Sequence, residues 1–168
     1  VQTCALPISD DLGFMFQDRG ELFSLKDGSP NIYTPNKRPF HTIIPGFATK
    51  NGAPFMSFGV MGGDMQPQGQ AQIIVNMVDY GLNLQEAGDA PRWHHEGSSE
   101  PTGEIAEGIG ILKLENNMPK ATKEGLEKIG WKFGLSDGGF GGYQAIQKNE
   151  KIYGAASEMR KDGLALAY

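Results

Sequence analysis

The sequence predicts a mixed fold, α+β or α/β, in which helices and sheets form layers. Its segments read in the order strands, helices, then strand, helix and strands, and no internal repeat is present. Glycine contributes 24 of the 168 residues, about twice its ordinary share of roughly 7%, so many tight backbone positions are expected. The length suits one domain, or most of one.

The first third of the chain predicts strands and one long loop. Leu12 to Phe16 is an apolar run that predicts a buried strand, and residues 26–39 contain enough proline and Asp-Gly to predict a loop. Two further apolar runs, Thr42 to Thr49 and Pro54 to Val60, flank Lys50-Asn51-Gly52. Asn-Gly tolerates positive φ at both positions, which indicates a β-hairpin.

The middle of the chain predicts helices. The first helix is indicated by apolar residues at helical spacing, at Ala71, Ile74, Val75 and Val78. Pro67 is acceptable in its first turn, and Gly81 is a typical helix stop. Asn83 can then cap a second, short helix from Leu84 to Gly88.

The remainder of the chain predicts strands around one more helix. Arg92 to Glu96 and Ile109 to Glu115 are expected strands, with a loop between them. A helix with apolar residues at Ala121, Leu126 and Ile129 is expected to be capped by Asn117 and to end at Gly130. The last expected hairpin pairs Tyr143 to Gln147 with Ile152 to Ala155 across residues 148–151.

Composition excludes several classes of function. The formal net charge is −5 and the isoelectric point is about 5.2, so a nucleic-acid partner is not expected. No apolar run reaches the ~20 residues of a membrane helix. One cysteine builds neither a disulfide framework nor a cysteine zinc site. His94 and His95 would point to opposite faces of a strand, so they would not chelate one ion together, and we expect no metal or cofactor.

The first nine residues are expected to be a non-native segment. Codons for Val1 to Ser9 can be written GTG CAG ACG TGT GCT CTT CCG ATC T, which resembles a short-read sequencing adapter. We therefore expect residues 1–9 to be adapter-derived and the believable domain to span residues 10–168.

Three regions could carry chemistry. Gly62-Gly63, between an expected strand and an expected helix, could turn backbone N–H groups toward an anion or oxyanion, or could be only a tight turn. The segment Lys37-Arg38-Pro39-Phe40-His41-Thr42 offers a guanidinium beside a hydroxyl that could grip a carboxylate. Gln17-Asp18-Arg19-Gly20, at the end of the first expected strand, offers an amide, a carboxylate and a guanidinium together. The residues alone leave polar, solvated turns open at the last two places.

Several motifs in register resemble the small subunit of the γ-glutamyltransferase (glutathione hydrolase) family. The resemblance runs from about Leu12 to Tyr168. It is carried by the segments Pro35-Asn36-Lys37-Arg38-Pro39, Gly59-Val60-Met61-Gly62-Gly63, Asp79-Tyr80-Gly81-Leu82-Asn83, Gln85-Glu86-Ala87, Ala90-Pro91-Arg92 and Gly154-Ala155-Ala156-Ser157 with Arg160 and Asp162-Gly163.

The resemblance implies an N-terminal-nucleophile hydrolase. Its fold is an α+β sandwich of αββα layers, here incomplete because the N-terminal strands are missing. An N-terminal threonine attacks the acyl carbonyl, and Gly62 and Gly63 supply the oxyanion hole. The resemblance also implies a large-subunit partner from the same precursor and a small-molecule amide substrate.

Three departures from the family pattern bear on activity. No residue matches the threonine nucleophile, and Thr3 lies in the adapter-like segment, so this chain alone is expected to be inactive. His41-Thr42 replaces a pair of serines in the predicted substrate site. Leu22 replaces the acidic residue that holds the substrate α-amino group, while Arg19 favours a carboxylate on the acyl side.

Three functional hypotheses follow from the resemblance and its departures. The first is cleavage of γ-glutamyl amides such as glutathione. The second is hydrolysis of a short carboxylated amide, as in oxamate amidohydrolase or cephalosporin acylase relatives. The third is a non-catalytic remnant that keeps the fold. The sequence does not indicate a cellular compartment.

Overall fold

The computed structural model describes residues 11–14, 18–97 and 108–166. These residues belong to two compact units, one up to residue 42 and the other comprising residues 43–97 and 108–166. The adapter-like segment 1–9, with Thr3, lies outside the described residues. So does most of the loop expected between Glu96 and Gly108.

The first unit is mostly irregular chain held by local contacts. A short 3-10 helix spans Arg19–Leu22, and the loop expected over residues 26–39 is confirmed. A single bridge joins Ser24 to Ile32. The strand expected from Leu12 is not found at residues 12–14, which form a turn and irregular chain, and residues 15–17 are not described. The physical reason is that Gly13 has a φ of 67°, a left-handed conformation that interrupts an extended strand.

The second unit contains the regular structure. Four strands form one antiparallel sheet in the order β1-β2-β5-β6, and β3 pairs with β4 in a second antiparallel sheet. In chain order the elements are β1 (Gly46–Lys50), β2 (Ala53–Met61), α1 (Met65–Val78), α2 (Leu84–Asp89), β3 (Trp93–Glu96), β4 (Ile111–Leu114), α3 (Lys120–Lys128), β5 (Gly142–Asn149) and β6 (Ile152–Ser157).

Both predicted hairpins are confirmed. Asn51 and Gly52 have φ values of 52° and 76°, as a two-residue turn between twisted strands requires. The first strand begins at Gly46, four residues later than the apolar run at Thr42 indicates. In the second hairpin, Glu150 has a φ of 54°. Its turn is shorter than the predicted 148–151, because Lys148 and Asn149 continue β5 and pair with Tyr153 and Ile152.

The core lies between the four-stranded sheet and the first two helices. Met56, Phe58 and Val60 alternate along β2 toward this side, where Ile73 of α1 and Tyr143 of β5 are also buried. Burial raises the pKa of the Tyr143 phenol to about 12. The sheet therefore has one face packed by helices.

The predicted helices are confirmed, with one error at a helix start. A reciprocal capping box of Asn83 and Glu86 opens α2. The expected cap at Asn117 is wrong, because Pro119 has an extended ψ of 133° and helical geometry begins only at Lys120. No helix among residues 11–14, 18–97 and 108–166 is long and apolar enough to cross a membrane.

Candidate active site

The turn between β2 and α1 depends on two glycines. Gly62 has a φ of 127° and Gly63 a φ of 61°, and both values lie in the region that side chains disfavour. A Cβ on Gly63 would meet nothing within 4 Å, so open space borders the turn. The conformation explains why the sequence has glycine at both positions.

The carbonyl groups of this turn are held by the helix that follows it. Gly62 O accepts a hydrogen bond from Met65 N at 3.1 Å, and Gly63 O accepts one from Gln66 N at 3.1 Å. The Gln66 side-chain amide also donates to Gly63 O at 3.1 Å. Because a trans peptide is planar, the Gly63 N–H, which shares a peptide group with the Gly62 carbonyl, points the opposite way from that carbonyl.

In the part of the chain that the structure describes, no residue accepts a hydrogen bond from the N–H of Gly62 or Gly63. Successive N–H groups in such a conformation form a concave anion-binding nest, and the positive end of the α1 dipole adds to it. The turn can therefore stabilise a negatively charged oxygen.

A second glycine segment packs directly against this turn. A Cβ on Gly62 would lie 3.1 Å from Gly141 Cα, and a Cβ on Gly141 would lie 2.5 Å from Met61 O. Neither position has room for a side chain. The close approach fixes the end of β2 against the start of β5.

A groove of about 240 Å³ lies beside the end of β2. Ile43, Ile44 and Pro45 form an apolar wall, and Met61 and Gln66, which flank the glycine pair, also line it. The groove gives the turn an adjoining surface on which an organic group can rest.

A buried arginine reaches the second glycine segment. Arg92 is 1% exposed, and its guanidinium donates to Phe140 O at 2.8 Å and to Gly88 O at 2.9 Å. Its Nη2 lies 3.6 Å from Glu158 Oε2. Burial and the charge of Arg160 lower the pKa of Arg92. Arg92 thereby ties the residue before Gly141 to the end of α2.

Two carboxylates and a second arginine complete this buried cluster. Arg160 donates to Glu158 Oε2 at 2.7 Å and to both carboxylate oxygens of Glu115 at 2.6 Å. Burial opposes the charge on Arg160, but the hydrogen bonds to Glu115 and Glu158 raise its pKa. The ion cluster of Arg92, Glu115, Glu158 and Arg160 holds two charges of each sign, which is the condition for burying them together.

The adjacent histidines have different surroundings. His94 is 6% exposed, and its Nε2 lies 3.5 Å from Asp64 Oδ2, next to the glycine turn. His95 Nε2 lies 2.7 Å from Ile109 O. The two rings do not share a ligand. In the part of the chain that the structure describes, no group of three or more His, Cys, Asp or Glu could hold a metal ion.

The other predicted site residues lie in the first unit. Arg19 Nη1 donates a hydrogen bond to Thr42 Oγ1, so the structure brings these two residues together. Both are half-buried, whereas His41 is exposed. Arg19 is the first residue of the 3-10 helix Arg19–Leu22. Gly62 and Gly63 belong to the second unit.

Sequence reasoning did not identify the roles of the ion cluster or of Gly141. The segments containing Arg92 and Arg160 were noted only as family motifs. Charged and polar residues lie near both arginines in the sequence, so no local signal marks them as buried. The pairing partners are far apart in sequence, so no spacing rule identifies them.

Three curated relatives resemble this chain. It is 38% identical over 120 residues to the glutathione hydrolase-like YwrD proenzyme of Bacillus subtilis, covering 71% of this chain and 22% of that protein. It is 30% identical over 173 residues to the glutathione hydrolase proenzyme of Escherichia coli, covering 96% of this chain and 28% of that protein. It is 42% identical over 83 residues to the oxamate amidohydrolase proenzyme of Klebsiella pneumoniae, covering 49% of this chain and 16% of that protein. The chain thus spans less than a third of the length of each.

A solved structure and a family profile agree with these relatives. The cephalosporin acylase of Bacillus halodurans superposes with a TM-score of 0.75 at 38% identity, covering 93% of this chain and 28% of that one. The family profile described as Gamma-glutamyltranspeptidase matches residues 4–168. With a mixed fold of antiparallel sheets and helices and a profile match over nearly its whole length, the chain belongs to the gamma-glutamyltranspeptidase family.

Proposed function

We propose that this chain is part of an amide hydrolase or acyltransferase of that family, in which Gly62 and Gly63 stabilise the oxyanion. The observation that carries the proposal is the glycine turn itself. Two successive N–H groups without a described acceptor stand at the start of the 14-residue helix α1. Such donors typically lower a reaction barrier by about 3 kcal/mol each.

The chemistry divides between this chain and the rest of the protein. By resemblance to the family, an N-terminal threonine from an upstream segment attacks the amide carbonyl, whose oxygen becomes negatively charged. The N–H groups of Gly62 and Gly63 hold that oxygen until the amine leaves with a proton. Water, or an acceptor amine, then attacks the acyl-enzyme through a second oxyanion in the same place.

The outer face of the four-stranded sheet is proposed to pack against a second sheet. Phe47, Ser57, Ile146 and Ala155 form one row across all four strands on the face away from the core, and all are exposed. Phe47 is 65% exposed and Ile146 is 53% exposed. Apolar residues in such a row favour the αββα sandwich, completed by upstream strands and a large subunit.

The leading substrate class is γ-glutamyl amides such as glutathione. Two of the relatives described above carry glutathione hydrolase in their names, and the E. coli relative matches along 96% of this chain. Such a substrate is a small amide. We expect the groove beside the turn to hold part of it.

A short carboxylated amide is the second candidate. Arg19 is held by Thr42, and its planar guanidinium suits bidentate carboxylate binding. Leu22 stands where an acidic residue would bind a substrate α-amino group. One relative is named an oxamate amidohydrolase and one structural neighbour a cephalosporin acylase, which supports this class.

Kinetics of the full-length protein separate these substrates. The region upstream of the Asp10 codon is first resequenced with primers independent of any adapter, which also tests whether residues 1–9 are native. The protein is then assayed with γ-glutamyl-p-nitroanilide, oxamate and a glutaryl amide. We expect cleavage of the γ-glutamyl amide. Cleavage of carboxylated amides alone favours the second candidate, and an upstream region without the threonine favours the remnant.

A matched pair of glycine variants tests the oxyanion turn. Gly63 and Gly52 have φ values of 61° and 76°, and a Cβ at either would meet nothing within 4 Å. Gly63→Ala and Gly52→Ala therefore impose similar backbone strain, on the order of 1 kcal/mol. We expect Gly63→Ala to lower kcat about tenfold or more and Gly52→Ala to leave it within about twofold. Equal kcat in the two variants contradicts the proposed role of the turn.

A further inference from the structure

Two glutamine side chains pair with the edge of β3 that β4 leaves open. Gln72 accepts the Trp93 N–H through Oε1 at 3.0 Å and donates from Nε2 to Trp93 O at 2.9 Å. Gln68 makes the same pair with His95, at 2.8 Å to its N–H and 3.0 Å to its carbonyl. Each side-chain amide thus takes the place of one residue of a neighbouring strand.

The spacing of the two glutamines matches the spacing of the strand. Four residues along a helix rise about 6 Å, and two residues along an antiparallel strand rise about 6.8 Å. Gln68 and Gln72 are four apart on α1, while Trp93 and His95 are two apart on β3. All four hydrogen bonds form together because of this match. A slide of α1 by one residue would break all of them.

This glutamine pair acts on the helix that begins at the oxyanion turn. Gln68 Nε2 also lies 3.4 Å from the carbonyl oxygen of Asp64, the residue that follows Gly63. One turn of α1 therefore separates the Gln68 contact from the glycine turn. Farther along α1, a Cβ on Gly69 would lie 2.6 Å from Val60 Cγ1, so the helix is also pressed against β2.

We propose that Gln68 is a positioning residue for the oxyanion turn. This inference rests on the proposed function of Gly62 and Gly63. By fixing the first turn of α1 against β3, Gln68 sets the direction of the Gly62 carbonyl and hence of the Gly63 N–H, which belongs to the same peptide group. Gln72, which is 8% exposed and lies a turn farther along, holds the helix as a whole. Displacement of catalytic groups by about 1 Å costs up to about 100-fold in rate.

The kinetic test compares glutamine-to-methionine variants in the full-length protein. Gln68→Met keeps the side-chain length and loses both hydrogen bonds to His95. We expect it to lower kcat about tenfold while KM changes less than about twofold. Gln85→Met is the matched control, because Gln85 is also a helical glutamine bonded to a strand carbonyl, Ser157 O, at 3.0 Å. Gln68→Glu, which keeps the acceptor and loses the donor, is the second variant if Gln68→Met does not fold.

Hydrogen exchange supplies a readout that does not need activity. The N–H groups of Met65 and Gln66 bond the two glycine carbonyls, so their exchange reports opening of the turn. We expect about tenfold faster exchange there in Gln68→Met, with β5 unchanged. Unchanged kcat and exchange, with only a lower melting temperature, would overturn the inference. If the wild-type protein cleaves no amide, the proposed function fails. The exchange result alone then shows whether Gln68 holds the glycine turn in place.

Discussion

The glycine turn and the ion cluster lie in the same compact unit and are built in opposite ways. At Gly62 and Gly63 the sequence removes side chains, and the backbone takes positive φ values that side chains disfavour. At Arg92, Glu115, Glu158 and Arg160 it places four charged side chains together and satisfies most of their polar atoms with one another and with backbone carbonyls. The cluster is linked to the turn through Phe140 O and the contact of Gly141 with Gly62.

The difference between the two regions suggests different roles: the glycine turn would act in the reaction, and the ion cluster would stabilise the fold around it. A backbone oxyanion site works because its donors are held in place before any charge develops. The buried charges supply that rigidity, since each is costly to bury without its partners. Loss of a charge in the cluster should therefore reduce stability first, whereas loss of a glycine in the turn should reduce the rate first.

The largest expected effect is on stability, from Glu158→Ala. This change leaves Arg92 and Arg160 with one carboxylate between them, and removal of one partner from a buried pair costs about 3–5 kcal/mol. Urea unfolding of the full-length protein measures it. The control is Glu124→Ala, which breaks an exposed pair with Lys120 at 3.4 Å and should cost about 0.5 kcal/mol or less. Equal losses in the two variants would show that the cluster gives no special support.

The next effect is on rate, from Gly62→Ala. Alanine is strained at a φ of 127°, and its Cβ would lie 3.1 Å from Gly141 Cα, so the turn must change shape. We expect kcat to fall about 100-fold, the scale of losing one oxyanion donor. Gly154→Ala in β6 is the control, because no atom lies within 4 Å of its added Cβ. A folded Gly62→Ala protein with kcat within about threefold of wild type would remove the distinction between the regions.

The smallest effect is a dependence of stability on pH. Burial acts to raise the pKa of the Glu115 carboxyl, but hydrogen bonds from Arg160 and the Arg92 N–H outweigh it and hold that pKa below its ordinary value of 4.5. The stabilisation is present above the ordinary value and is lost as pH falls through the lowered one. The stability deficit of Glu115→Gln should therefore be full at neutral pH and shrink as the pH falls below 4.5. Glu150→Gln, at an exposed residue, is the control. A stability deficit of Glu115→Gln that does not depend on pH would show that the charge of Glu115 contributes nothing to stability.

Local patterns predicted most of the regular structure. The Asn51-Gly52 turn, the Asn83 cap and the apolar spacing of α1 are decided by a few neighbouring residues, and the structure has each where the sequence indicates. Errors arose where a local signal competed with another. Pro119 moved the start of α3 past the cap expected at Asn117, and Gly13, with a φ of 67°, interrupts the apolar run that begins at Leu12.

The candidate site was predictable only in part. Glycine at 62 and 63 marks a backbone that side chains cannot adopt, and this is a local property readable from the sequence. The hydrogen bond between Arg19 and Thr42 joins residues 23 apart, and no periodicity predicts it. His41 is exposed, although it stands beside Thr42 in the chain.

The sequence by itself determined the mixed fold class, the hairpins, the first two helices and the family. Those properties depend on backbone preferences and on the alternation of apolar residues over short stretches. Only the tertiary structure decided how the oxyanion turn is held, through Gly141, the ion cluster and the glutamine pair on β3. These contacts join segments that are distant in the chain, and their energies depend on burial and close approach, which exist only after folding.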